Sequence, residues 1–182
     1  MTMMLLSGVF AMATTPITLP QGSKAGVYVA YDGLKSSGNY IDNACLTFDG
    51  TKWNAEKVLI WKDNNTSADI LAYYPYVESV TNAKAVPFTV MTDQSNNEAY
   101  TASDFLYGTS WSNPNDEGLP QPVLHHRMAN IVVNVKAGNG FTDDELKQGN
   151  LSVHVKNVYL KVNVNLENGD VMASGFVGSI KA

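Results

Sequence analysis

Apolar and polar residues alternate with a period of two along nearly this whole chain, and turn residues cut the alternation every few positions. That period sorts the side chains of a β-strand onto two faces, so a slip of one residue exchanges core for solvent. Gly26 to Tyr31 sets Val27, Val29 and Tyr31 on one face. Ala44 to Phe48 and Thr51 to Asn54 flank Asp49-Gly50, a strong hairpin signal. Val58 to Trp61 leads through the polar loop Lys62 to Ser67 into Ile70 to Tyr74, which Pro75 stops. Val86, Phe88 and Val90 alternate with Thr89, and Asp93 to Asn97 reads as loop.

The clearest strand is Asn130 to Lys136, with Ile131, Val133 and Val135 expected in the core and Asn130, Asn134 and Lys136 opposite them. Leu151, Val153 and Val155 form the next apolar set. At Asn157 the phase flips to Val158, Leu160, Val162, Val164 and Leu166, which predicts a bulge or a break. Asn168-Gly169 turns the chain toward Val171 and Phe176. Thr142 before Asp143-Asp144-Glu145 can cap one helical turn, the only helix signal present. Roughly ten short strands imply a sandwich or barrel, and the lack of long amphipathic helices excludes parallel βαβ units. No linker, repeat or low-complexity tract divides residues 1–182, so one antiparallel β-sandwich domain with at most one short helix is expected.

Composition narrows the function. Charged residues make up 16% of the chain, below the usual quarter or so, and the net charge is −5. Nucleic acid and anionic membranes need a basic footprint, which this chain lacks. Cys45 is the only cysteine, so it pairs with no other in the chain and builds no thiolate metal site. Followed by Leu46 and Phe48, it reads as a small core residue. Met3 to Phe10 is apolar, and Ala11-Met12-Ala13 has the small-x-small pattern of a signal-peptidase site. No Lys or Arg precedes it, however, so Leu5 to Met12 is read as a first strand, too short to cross a membrane as a helix.

The residues that carry chemistry are scattered. His125 and His126 are neighbours and, on a strand, point to opposite faces; His154 belongs to another strand. Asp63, Asp69, Asp93, Asp143, Asp144 and Asp170 sit in or beside turns, where Asp belongs for backbone reasons, and none has the spacing of a calcium loop. There is no Gly-x-Ser-x-Gly elbow and no glycine loop opening a helix. No catalytic, cofactor-binding or metal-ligating residue is therefore assigned, and an enzyme is not expected. Trp53, Trp61 and Trp111, with nine tyrosines, could form a stacking platform for sugars, and Trp111 is the one expected to be exposed.

Five segments, in order, resemble the fimbrillins, the fimbrial subunits of Gram-negative gut and oral anaerobes. They are Gly22-Ser23-Lys24-Ala25-Gly26-Val27-Tyr28; Ile60-Trp61 with Ile70-Leu71-Ala72-Tyr73-Tyr74-Pro75-Tyr76; Asp104-Phe105-Leu106-Tyr107-Gly108; Leu124-His125-His126-Arg127-Met128-Ala129-Asn130-Ile131-Val132-Val133-Asn134-Val135; and Asn165-Leu166-Glu167-Asn168-Gly169. The resemblance implies a transthyretin-like β-sandwich, corresponding to a fimbrillin's N-terminal domain with the C-terminal one absent. It implies export to the cell surface, outer-membrane association, and a stalk, tip or anchor role in adhesive fimbriae. Partners would be other fimbrial subunits that donate a β-strand. Three features depart from the family's pattern: the missing second sandwich, the lack of an N-terminal lipid-anchoring cysteine, and Thr14-Thr15-Pro16 where the processing arginine would stand. His126 and Arg127 resemble the family's most recognisable dipeptide, and Arg127 is expected to bond loop carbonyls or a carboxylate. The alternative is a carbohydrate-binding sandwich module that takes host or bacterial surface glycans.

Overall fold

The computed structural model describes residues 19–116, 120, 122–140, 142–149 and 152–182, without the side chains of residues 143 and 146. The expected first strand, Leu5 to Met12, lies outside them, as do Phe141 and Leu151. Eleven strands and two short helices follow in order. They are β1 (Lys24–Ala30), β2 (Ile41–Phe48), β3 (Trp53–Ala55), β4 (Ala68–Tyr74), β5 (Val86–Thr89), α1 (Asn97–Ala102), β6 (Leu106–Ser112), β7 (His125–His126), α2 (Asp143–Gln148), β8 (His154–Tyr159), β9 (Lys161–Asn165), β10 (Asp170–Ala173) and β11 (Val177–Lys181). The sheets run β3-β2-β1-β4-β6-β7, β10-β9-β5 and β11-β8, and every strand pair is antiparallel. This is the expected all-β sandwich.

The six-stranded sheet is buried on both faces. Val27, Val29, Leu46, Ile70, Ala72 and Leu106 fill one side with Leu19, Leu59 and Leu124. On the other, Tyr28, Leu71, Tyr73 and Tyr107 meet Val86 and Phe88 of β5 and Val164 of β9, which makes the second layer. Phe105 sits fully buried at that interface, stacked on Tyr73 with centroids 5.6 Å apart and edge-on to Phe88 at 5.3 Å. Such ring pairs contribute about 0.5–1.5 kcal/mol each beyond their burial. Gly26 is required where it stands, because a Cβ there would lie 2.2 Å from the Tyr73 ring. That ring's hydroxyl donates to Asn43 Oδ1 at 2.6 Å, so the buried phenol is satisfied.

The turn chemistry reads as expected. Asp49 Oδ1 accepts from the backbone N–H groups of Thr51 and Lys52, closing the β2–β3 hairpin. Gly169, at φ 75°, turns β9 into β10. The phase flip at Asn157 is a bulge: Val158 faces Gly178 and Lys156 faces Ser179, which leaves Asn157 unpaired at φ 60°. Thr142 caps α2 through a reciprocal capping box with Glu145. A second short helix, α1, one more than the sequence suggested, starts at Asn97, the last residue of the expected loop; Asn96 Oδ1 accepts from Ala99 N at 2.9 Å and caps it.

Two strand expectations fail. Val58 to Trp61 forms no strand, although Leu59 is buried in the core. More importantly, residues 130–136 form no ladder, and Ile131, Val133 and Val135 are 57%, 49% and 54% exposed. The alternation was real on one face only. Val132 stands at a position that should have been polar and is 73% exposed. A strand needs a hydrogen-bonded neighbour as well as a pattern, and none of the described residues pairs with this stretch.

Candidate functional site

The unpaired stretch leaves the six-stranded sheet at its edge. β7 pairs only with Leu106 and Tyr107 of β6, and Arg127 N then donates to Phe105 O at 2.8 Å. His126 Nδ1 lies 2.6 Å from Asp104 Oδ2, which fastens β7 to the residues just before β6. Burial raises the Asp104 carboxyl above its ordinary range, and the neighbouring imidazole draws it back.

Arg127 does not do what its sequence context implied. Its guanidinium lies over the Tyr107 ring, 5.3 Å from the centroid, and a Cβ on Gly169 would come within 2.7 Å of it. Its Nε is buried without a hydrogen-bond partner, and among the described residues it makes no ion pair with a carboxylate. The side chain is therefore a spacer between β6 and the β9–β10 turn, held by packing and cation–π attraction. Beyond it, Ile131, Val132, Val133 and Val135 present a run of exposed apolar side chains. A second exposed group lies on β10, β11 and the loop between them: Met172 at 56%, Phe176 at 94% and Val177 at 52%. Single exposed apolar residues are ordinary, whereas contiguous runs mark interaction sites.

The other singled-out residues stay apart. His125 is exposed on β7, and His154 opens β8 opposite Lys181. Asp63 and Asp93 accept hydrogen bonds inside their own turns, Asp69 pairs across the sheet with Trp111, and Asp144 lies 3.8 Å from Lys147. Asp170 Oδ2 accepts from Asn168 Nδ2 at 2.7 Å. Among the described residues no three His, Cys, Asp or Glu side chains gather where they could hold a metal ion. Cys45 is buried, and that burial pushes its thiol up from the ordinary range. Trp53 is buried against Phe48, and Trp61 packs at the margin of the core. Trp111 is 72% exposed on β6.

A family model of fimbrillin-like proteins matches residues 12–181. The chain belongs to the fimbrillin-like family. It is thereby a non-enzymatic structural protein of the surface fimbrial type. Its fold is similar to that of a candidate cell adhesion protein from Bacteroides uniformis, with a TM-score of 0.70 and 17% identity over 97% of this chain. A second candidate cell adhesion protein, from Bacteroides ovatus, has a TM-score of 0.66 and 18% identity over 90% of this chain. The match spans 69% of the first of those chains and 62% of the second. At these identities the likeness is one of fold. A search of curated proteins gave no significant match. Among the described residues, no helix of this fimbrillin-like chain is long and apolar enough to cross a membrane.

Proposed function

We propose that this fimbrillin-like chain is a fimbrial building subunit that assembles by accepting a β-strand from a neighbour along residues 130–136. The observation that carries the reading is the exposed, unladdered run from Ile131 to Val135. Unpaired backbone groups beside apolar side chains form a template for an incoming strand, which supplies main-chain hydrogen bonds and covers alternate side chains. Residues 1–182 serve in this reading as one sandwich domain, the N-terminal one of a longer fimbrillin at the outer-membrane surface. The partial coverage of the similar solved chains supports it.

Amide hydrogen exchange on the assembled and unassembled protein tests the reading. Residues 130–136 should exchange fast in the monomer and become protected on assembly. The Val133→Asp variant should remain monomeric in light scattering, because a charge cannot be covered by an apolar partner face. Fibres that leave 130–136 unprotected, or that form equally well from Val133→Asp, would sink the proposal. The segment Leu5 to Met12 is the local candidate for a self-donated strand. Deleting residues 1–13 should accelerate assembly, and the Leu5–Met12 peptide added in trans should slow it.

A further inference from the structure

Two cavities open side by side along the outer edge of β2. One, of about 510 Å³, lies between the first half of β2 and the chain from Glu56 to Ile60. The other, of about 500 Å³, lies between Tyr40 and the turn from Trp61 to Asn65. They share Tyr40 and Ile60, so they form one continuous groove, each half within the size range of small-ligand sites. We infer that this groove binds a short oligosaccharide.

The lining has the two chemistries that a sugar requires. A pyranose ring has an apolar C–H face and a rim of hydroxyls. Tyr40, which is 41% exposed, and the half-buried Trp61 and Tyr76 offer aromatic surface to the first. For the hydroxyls there are the side-chain amides of Asn64 and Asn65, which make no hydrogen bond within the described chain, and the exposed Lys57 ammonium. Each amide both donates and accepts, which suits a hydroxyl that does the same.

Both walls are fixed before any ligand arrives. On one side the Asp42 carboxylate accepts from Gly38 N, Asn39 N and Asn39 Nδ2, which sets the loop that carries Tyr40. Tyr31 stands edge-on to Tyr40 with centroids 5.3 Å apart, and its hydroxyl accepts from Lys62 N at 3.0 Å, bracing the opposite wall too. There, Asp63 accepts from Asn65 N, Thr66 N and Thr66 Oγ1, while Asn113 and Asn115 donate to the carbonyls of Asn65 and Asn64. A site ordered in advance loses less conformational freedom on binding. The same bonds occupy the Asp42 and Asp63 carboxylates, and the third acid of the lining, Glu56, lies 3.7 Å from the Lys24 ammonium, so no pair of free carboxyls faces a bound sugar.

The edge suits a sugar better than a strand. Between Val27 and Val29 the β1–β2 register shifts, so that Asp42 and Asn43 oppose the single Tyr28, and Asn43 stands at φ 50°. That bulge breaks the regular row of backbone groups that an added strand would need.

The test is to print neutral and acidic oligosaccharides, maltohexaose, chitotetraose and sialyllactose among them, and probe them with the full chain. Tryptophan fluorescence then gives the affinity for the best binder. At least one saccharide should bind. Tyr40→Ala should weaken it about tenfold with the melting temperature unchanged, whereas Tyr40→Phe should retain it. The paired change Asn64→Ala with Asn65→Ala should weaken it several-fold, and Trp111→Ala should leave it unaltered. Val133→Asp should bind as tightly as the parent chain, because the groove does not depend on fimbrial assembly. The inference is overturned if no saccharide binds, if Tyr40→Ala binds normally, if Trp111→Ala alone abolishes binding, or if an extended peptide displaces the sugar and occupies the β2 edge.

Discussion

β4 and the stretch from Asn130 to Lys136 look alike in sequence and end in opposite environments. Both are short and rich in apolar residues. β4 lies between β1 and β6 with Ile70, Leu71, Ala72 and Tyr73 all buried, while the second stretch has no ladder and its valines are 49% to 73% exposed. What separates them is the neighbour on each side rather than the pattern along the chain. For an extended run, pairing and burial go together, because a paired strand can take its whole row of backbone polar groups out of water, whereas an unladdered segment buries only single side chains such as Leu59.

The largest test of that contrast is a matched pair of charges. Ile70→Asp places a carboxylate in a fully buried site and should abolish folding, a loss of about 4 kcal/mol or more. Val133→Asp puts the same group on a side chain that is 49% exposed, and the monomer should change by no more than about 0.5 kcal/mol. Urea titration of both proteins measures the difference, and equal losses would show that residues 130–136 are covered in solution. A smaller effect is expected at the β8 bulge. Asn157→Ala, at φ 60°, should cost about 1 kcal/mol, and Asn157→Gly almost nothing, in the same titration. The smallest concerns the clasp that ties β11 to the loop before α1. The hydroxyl and backbone N–H of Ser95 and the Lys181 ammonium hold the Asp93 carboxyl down at about 2, against an ordinary 3.8. A depressed carboxylate stabilises the fold above the ordinary value and loses that contribution as pH falls toward 2. The protection of the Ile180 and Lys181 amides, taken relative to their intrinsic exchange rates, should therefore fall between about pH 4 and pH 2, with the protection of β4 unchanged.

Much of the fold was legible because local signals and tertiary structure agree there. Asp49-Gly50 and Asn168-Gly169 turn where backbone geometry demands, Thr142 caps, and of the bulge or break that the inverted phase at Asn157 calls for, β8 holds a bulge. Residues 130–136 depart from the alternation at Val132, an apolar residue on the supposed polar face, and that exception marks the stretch as something other than an ordinary half-buried strand. The groove beside β2 was not legible. It brings Tyr40, Ile60 and Asn64 together through the register shift at Asp42–Asn43 and through loop-to-loop bonds from Asn113 and Asn115, all of them long-range. Arg127 escapes sequence reasoning for a related reason: its neighbours, the face of the Tyr107 ring and the Cα of Gly169, carry no formal charge for a pairing rule to select.

The seat of that arginine also makes it a reporter. Arg127 is the only arginine in the chain, so an arginine-specific protease has a single bond to cut, the one joining it to Met128. The protease must draw the guanidinium into its own pocket, yet that group is lodged between the Tyr107 ring and the β9–β10 turn. Cleavage must therefore wait until Arg127 leaves that seat, whether the turn lifts or the two-residue edge strand β7 peels from β6, and its rate under excess protease counts those openings.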